Sequence, residues 1–175
     1  MQLHCHPSAT TDLSLDIQVQ VEQLDHGGLQ LCYQLTGPLA QVRIPAPCPT
    51  SAQDGLWQHT CFEVFIARQG AAAYREFNFS PSSLWAAYGF SGYRQRAAWQ
   101  ASQAPQISVS HHENGLQLTA VLAAADLPED TDALPLQLGV SAVIEHANTQ
   151  LCYFALHHPA AQPDFHHRAG FVLTL

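Results

Sequence analysis

Apolar and polar residues alternate with a period of two through most of this chain. Leu13, Leu15, Ile17, Val19 and Val21 alternate with polar neighbours, and Leu29, Leu31, Tyr33 and Leu35 repeat the pattern beyond a turn at His26-Gly27-Gly28. Successive side chains of a strand point to opposite faces, so this pattern predicts an antiparallel hairpin with one face buried. Leu116, Leu118, Ala120 and Leu122 alternate again after Ile107 and Val109, and the segment between them contains Asn114-Gly115, a strong hairpin turn. Leu134, Leu136, Leu138, Val140, Ala142 and Ile144 form the longest late alternation, and strand-like runs follow at 151–156 and 171–175. Short helical turns are expected only at 97–104 and 123–127.

The middle of the chain has a different texture. Cys61-Phe62-Glu63-Val64-Phe65-Ile66 is a continuous apolar run broken by one carboxylate, and the runs at 74–80 and 84–90 are rich in aromatics. Such runs predict strands buried on both faces. Prolines and glycines punctuate the whole sequence, and no window has a clear helical period. These features predict an all-β fold, a two-sheet antiparallel β-sandwich of jelly-roll type, formed as a single domain over 1–175.

Composition narrows the function. Hydrophobic residues make up 47% of the 175 and charged residues 11%, which is unlike a disordered chain. No apolar run approaches the roughly 18 residues of a membrane span. Six arginines, no lysine and fourteen carboxylates give a net charge of −8, so a basic stripe for nucleic acid or an anionic membrane is missing. Eleven histidines would carry that charge to +3 on full protonation, so surface charge should change sharply around pH 6. Five cysteines without C-x-x-C spacing, and no leader-like N-terminal pattern, lead to the expectation of a reducing cytoplasm. The expected partner is a small molecule, and the chain is expected to be a monomer or a homodimer.

Glu63 is the most unusual residue. A carboxylate inside an apolar strand is costly unless it is paired or hydrogen-bonded. It is either a structural ion pair, with Arg75 or Arg94, or a ligand-binding group; a catalytic acid or base is a third reading. Trp57, Trp85, Tyr88, Tyr93 and Trp99 offer faces that can stack on a sugar ring, but aromatics in strands are most often core. Trp57 stands apart because it follows a turn. Asn78 shares a strand face with Tyr74 and Glu76, and it serves either a ligand or the following turn. The histidine pairs 157–158 and 166–167 are poorly placed to chelate one ion each, because strand neighbours point to opposite faces and such a pair rarely does so. One histidine from each pair could still meet its counterpart on a metal or haem iron.

The block Leu56-Trp57-Gln58-His59-Thr60-Cys61-Phe62-Glu63-Val64-Phe65, then Tyr74-Arg75-Glu76-Phe77-Asn78-Phe79-Ser80-Pro81 and Trp85-Ala86-Ala87-Tyr88, resembles the DOMON-like ligand-binding domains, relatives of the family 9 carbohydrate-binding modules. The segments 153–159 and 163–167 resemble the end of a bacterial stand-alone subgroup of those domains. The resemblance implies a non-catalytic β-sandwich that binds a sugar or haem in a cleft on one sheet. It implies that Trp57 and Glu63, six residues apart, contribute to the site, with Asn78 in a cleft-lining strand. The second aromatic of a sugar clamp would be Phe165, beside Asp164 and His166, where relatives carry a tryptophan. The first expectation is therefore a carbohydrate-binding module without a cofactor, in which Trp57 and Phe165 stack and Glu63, Asn78, Arg94 and Asp164 supply polar contacts. The alternative is a haem or metal protein using His157, His158, His166 or His167; with Met1 the only methionine, haem would need two histidines. The third is an enzyme with Glu63 as acid or base.

Overall fold

A computed structural model describes residues 1–9, 13–129 and 133–175. Among the described residues twelve antiparallel strands form two sheets. They are β1 (Gln2–Cys5), β2 (Asp16–Gln23), β3 (Leu29–Thr36), β4 (Cys61–Arg68), β5 (Tyr74–Phe79), β6 (Trp85–Gly92), β7 (Gln95–Ala97), β8 (Gln106–His112), β9 (Gly115–Leu122), β10 (Leu136–Glu145), β11 (Leu151–Ala155) and β12 (Leu173–Thr174). The first sheet has the order β1-β2-β3-β9-β8, and the second β7-β6-β5-β4-β10-β11-β1. β1 joins the two: Gln2 and Leu3 pair with β2, whereas His4 and Cys5 pair with β11. β12 pairs with the opening residues of β10, and β11 with its later ones.

The alternating runs behave as their period requires. Ile17, Val19, Leu31, Tyr33, Leu35, Leu116, Leu118 and Leu122 of the first sheet are buried in one core with Phe62, Val64, Ile66, Phe77, Phe79, Leu138 and Val140 of the second. The predicted hairpins β2–β3 and β8–β9 form in full register. A 3-10 turn at Ala124–Asp126 falls inside the helical turn expected at 123–127. The one expected at 97–104 does not form: Ala97 ends β7, and bends follow it. β1 and β7 are too short to show a period, which is why the pattern misses them.

β4 is buried along almost its whole length, as its unbroken apolar run predicts. One face, Phe62, Val64 and Ile66, joins the sandwich core. The other face, with Phe65 and Ala67, packs with Tyr74, Phe90 and Phe171 in a second cluster. Tyr74 and Phe90 come from β5 and β6, whereas Phe171, and Phe165 packed against the cluster, come from the C-terminal segment after β11. Gly139 permits this packing, because a Cβ there would lie 2.8 Å from the Phe171 ring. The second sheet thus has a covered outer face with a hollow left between the covering segments.

Candidate functional site

Register places the polar residues of this outer face side by side. Ser141 of β10, Glu63 of β4, Asn78 of β5 and Ala86 of β6 stand in one row across the sheet. Phe65, Glu76 and Tyr88 stand in the next. Strand alternation therefore sets two carboxylates on adjacent strands, diagonal to each other, on one face. Above them opens a cleft of about 430 Å³, lined by Trp57, Glu63, Phe65, Glu76, Arg94, Arg96, Tyr153, Phe165 and His166 among others.

Trp57 sits on a 3-10 turn, Leu56–Gln58, that begins after Gly55 at φ +80°. Glycine tolerates that left-handed conformation at little cost. Leu56 anchors the turn by packing with Cys61 and Ala86, and the Trp57 ring meets Tyr88 edge-on at 5.9 Å. Phe165 lies on the C-terminal segment against Phe65, Tyr153 and His158. Arg94 occupies the tip of the β6–β7 hairpin with φ +56°, an unusual conformation for a side chain with a Cβ. Its guanidinium donates to Asp164 at 2.8 Å, and the Tyr93 hydroxyl donates to the same carboxylate at 2.6 Å. Asp164 thus docks the hairpin tip onto the C-terminal segment, and these donors hold its carboxyl below the usual range despite partial burial.

The floor of the cleft has the opposite character. Glu63 is 2% exposed, Glu76 5% and Asn78 fully buried. The Asn78 amide donates to Glu76 Oε1 at 2.9 Å, and the Ser141 hydroxyl donates to Glu63 Oε2 at a long 3.4 Å. Glu63 Oε1 and Asn78 Oδ1 have no hydrogen-bond partner among the described residues. Burial, then the neighbouring Glu76 charge, pushes the Glu63 carboxyl well above its ordinary range. Burial likewise lifts Glu76, to about 7, although the Asn78 amide and the charges of Arg96 and Arg94 pull it down. His166 lies over Glu76, its Nε2 3.8 Å from Oε2 and its Nδ1 2.8 Å from the Tyr74 hydroxyl. That hydroxyl also accepts the Arg94 backbone N–H at 3.1 Å. A proton on Nε2 suits the carboxylate facing it, so Tyr74 donates to Nδ1. Burial and the nearby Arg94 charge depress His166 to about 4, so the ring is neutral at pH 7.

Four of the six residues singled out from the sequence, Trp57, Glu63, Arg94 and Phe165, line the cleft. Asn78 lies beneath it and orients Glu76. Asp164 stands behind Arg94. Among the described residues the ion pair with Arg75 or Arg94, one of the readings of Glu63, does not form. Arg75 instead stacks on Trp99 at 4.5 Å and donates to the Leu127 carbonyl, while Arg94 pairs with Asp164. Glu76, Arg96 and Tyr153 join the site without having been singled out for it. Glu76 could have been found, because it shares a strand face with Asn78.

The four late histidines do not converge. His157 is exposed, His158 bonds the His4 carbonyl, His166 engages Tyr74, and His167 accepts the Ala169 N–H. Among the described residues no group of three or more His, Cys, Asp or Glu is placed to hold a metal ion. A larger cavity, about 610 Å³, is lined by Tyr74, Arg75, Phe90, Trp99 and Pro128 among others. None of the described buried polar atoms that lack a partner belongs to its lining.

Two solved structures share this architecture. One is described as a "putative carbohydrate-binding protein" from Bacteroides uniformis ATCC 8492, with a TM-score of 0.65 at 17% identity over 91% of this chain and 77% of that one. The other is a family 9 carbohydrate-binding module from Caldicellulosiruptor kristjanssonii in complex with glucose, with a TM-score of 0.51 at 12% identity over 85% of this chain and 68% of that one. The chain therefore has the β-sandwich fold of the family 9 carbohydrate-binding modules. No protein-family model and no curated protein matches its sequence.

Proposed function

We propose that this chain is a non-catalytic binding module for a carbohydrate or sugar derivative, held in the cleft on the second sheet. The observation that carries the reading is Glu63: a deeply buried carboxylate with an unpaired oxygen, in a cleft walled by Trp57, Tyr153 and Phe165. A buried acceptor without a donor is expensive, and a sugar hydroxyl is a donor. The apolar face of a sugar ring suits the aromatic walls, as a mostly apolar pocket with a few placed polar groups requires. The glucose complex formed by the Caldicellulosiruptor module supports the same ligand class.

The test is isothermal titration of the purified domain with glucose, cellobiose and related sugars, beside a Trp57→Ala variant. A sugar should bind, and the variant should lose at least ~30-fold in affinity, about 2 kcal/mol, as expected for a central aromatic anchor. Circular dichroism should show the variant folded, because Trp57 rides on a turn outside the sandwich core. A variant that unfolds would make Trp57 a core residue and remove it from the site.

A further inference from the structure

The charges of the cleft do not balance. Arg94 is neutralised by Asp164 at 2.8 Å, and Arg96 lies 3.7 Å from Asp54 while stacking over the Tyr88 ring at 4.0 Å. Both rim cations thus already have an anion. His166 is neutral at pH 7. Glu63 and Glu76 remain on the floor with no dedicated counter-charge. The arginine charges do reach Glu76 and hold its carboxyl down, but neither is among the influences on Glu63. Among the described residues the one side-chain hydrogen bond to Glu63 is the long bond from Ser141.

The hydrogen-bonding capacity is as one-sided as the charge. Asn78 stands directly across the strand pair from Glu63. Its amide nitrogen is spent on Glu76, which leaves its carbonyl oxygen as a second acceptor without a donor. The Asn78 oxygen is an acceptor, and the orphan Glu63 Oε1 belongs to the residue across the strand pair; once Glu63 gives up the proton that burial favours, both are acceptors. A hydroxyl supplies one donor and brings acceptor lone pairs of its own. An ammonium supplies three donors, no acceptor and a positive charge. Charge-assisted bonds to carboxylates are about twice as strong as neutral ones, and the rings of Trp57, Tyr153 and Phe165 add faces that attract a cation.

We infer that the ligand is a sugar or similar polyol carrying a protonated primary amine, seated with its ammonium toward Glu63 and its ring between the aromatic walls. This rests on the reading of the cleft as a sugar site and adds the feature that selects among sugars. A metal ion is a poorer occupant, because the described residues offer no three-ligand set.

The experiment compares glucosamine, glucose and N-acetylglucosamine by isothermal titration at pH 7 and pH 5. Glucosamine should bind at least ~10-fold more tightly than glucose at pH 7. N-acetylglucosamine, whose amide is uncharged, should gain no such advantage. At pH 5 the amine keeps its charge while Glu76, lifted to about 7, takes up a proton and burial holds Glu63 further toward its protonated form, so the preference should shrink several-fold. Glu63→Gln should abolish the preference; if that variant does not fold, the pH comparison on the unaltered protein decides alone. Glucose bound as tightly as glucosamine would overturn the amine inference and leave the sugar reading standing. A preference that survives Glu63→Gln or is the same at pH 5 would also overturn it. Failure of all three sugars to bind would overturn both.

Discussion

Glu145 and Glu63 stand on adjacent strands, on the same face of one sheet, and both are almost inaccessible to water. Glu145 has what a structural carboxylate needs. Arg43 donates to one oxygen at 2.7 Å and His59 lies 2.8 Å from the other. Those two partners are more than half exposed, so the cluster lies close under the surface. They hold the carboxyl below its usual range against the opposing effect of burial. Glu63 has one weak donor, an unpaired oxygen and a carboxyl pushed upward. The difference separates two kinds of buried acid: Glu145 brings its partners from its own chain, and Glu63 keeps an oxygen for which the described residues supply none, as the proposed ligand site requires.

The largest expected effect of breaking this comparison is at the paired acid. Glu145→Ala removes charge-assisted bonds and frees the segment that they pin to the end of β10. Stability should fall by about 2 kcal/mol in urea denaturation at pH 7. Because the folded carboxyl is depressed, its contribution is present above the unfolded value near 4.5 and is lost as pH falls through the folded one. The penalty of the variant should therefore disappear in acid.

Glu63→Gln should act in the opposite direction. A carboxyl raised in the folded state favours folding at low pH, where both states hold the proton. That contribution is lost as pH rises from the unfolded value near 4.5 through the folded one. The amide cannot ionise, and it can donate to the orphan Asn78 oxygen. At pH 8 the variant should equal or exceed the parent in stability by about 1 kcal/mol, and at pH 5 the gain should vanish. A loss of stability at pH 8 would show that Glu63 is held by partners within the chain.

Glu76→Gln should show the same sign with a smaller gain, because Glu76 keeps the Asn78 bond and feels the arginines. Its window runs from the unfolded value near 4.5 to about 7. His166 works against it: a ring depressed to about 4 stabilises the fold above its unfolded value near 6.5 and loses that contribution as pH falls through 4. The two partly cancel in the parent. Melting temperatures of parent and variant should therefore be compared as a difference across pH 5 to 8, where only the Glu76 contribution changes.

Much of this was legible before any coordinates. Period-two alternation fixed the faces of β2, β3, β9 and β10, and the doubly apolar run marked β4 as covered on both sides. A carboxylate within that run pointed to the cleft, and Trp57 and Phe165 line its walls. The tertiary partners were not legible. Arg75 and Arg94 were equal prospects for Glu63, and only the fold sends one to Trp99 and the other to Asp164. Glu76 was visible on the correct face, but its place beside Glu63 depends on the register of β4 and β5, which no single strand encodes. Arg96 and Tyr153 enter from a three-residue strand and from β11, and local pattern assigns them no role. Glu145 carries no signal in the sequence, because it ends an alternating strand where a polar residue is ordinary.

The smallest effect sharpens the comparison from the partner's side. Arg43→Ala removes one of two cations from Glu145, but the Arg43 side chain is 53% exposed. Water screens such a pair, and the loss should stay below about 1 kcal/mol. The main-chain bond between Arg43 and Glu145 survives the substitution: the Arg43 N–H donates to the Glu145 carbonyl at 2.8 Å. The Thr60 hydroxyl still bridges by donating to the Arg43 carbonyl at 2.7 Å and accepting the Glu145 N–H at 3.1 Å. His59 then remains as the partner of the other Glu145 oxygen, at 2.8 Å. Sugar binding should be unchanged, because neither Arg43 nor Glu145 lines the cleft. A variant that lost both stability and sugar affinity would mean that the two carboxylates belong to one network, and the division between a self-paired acid and a ligand-seeking one would fall.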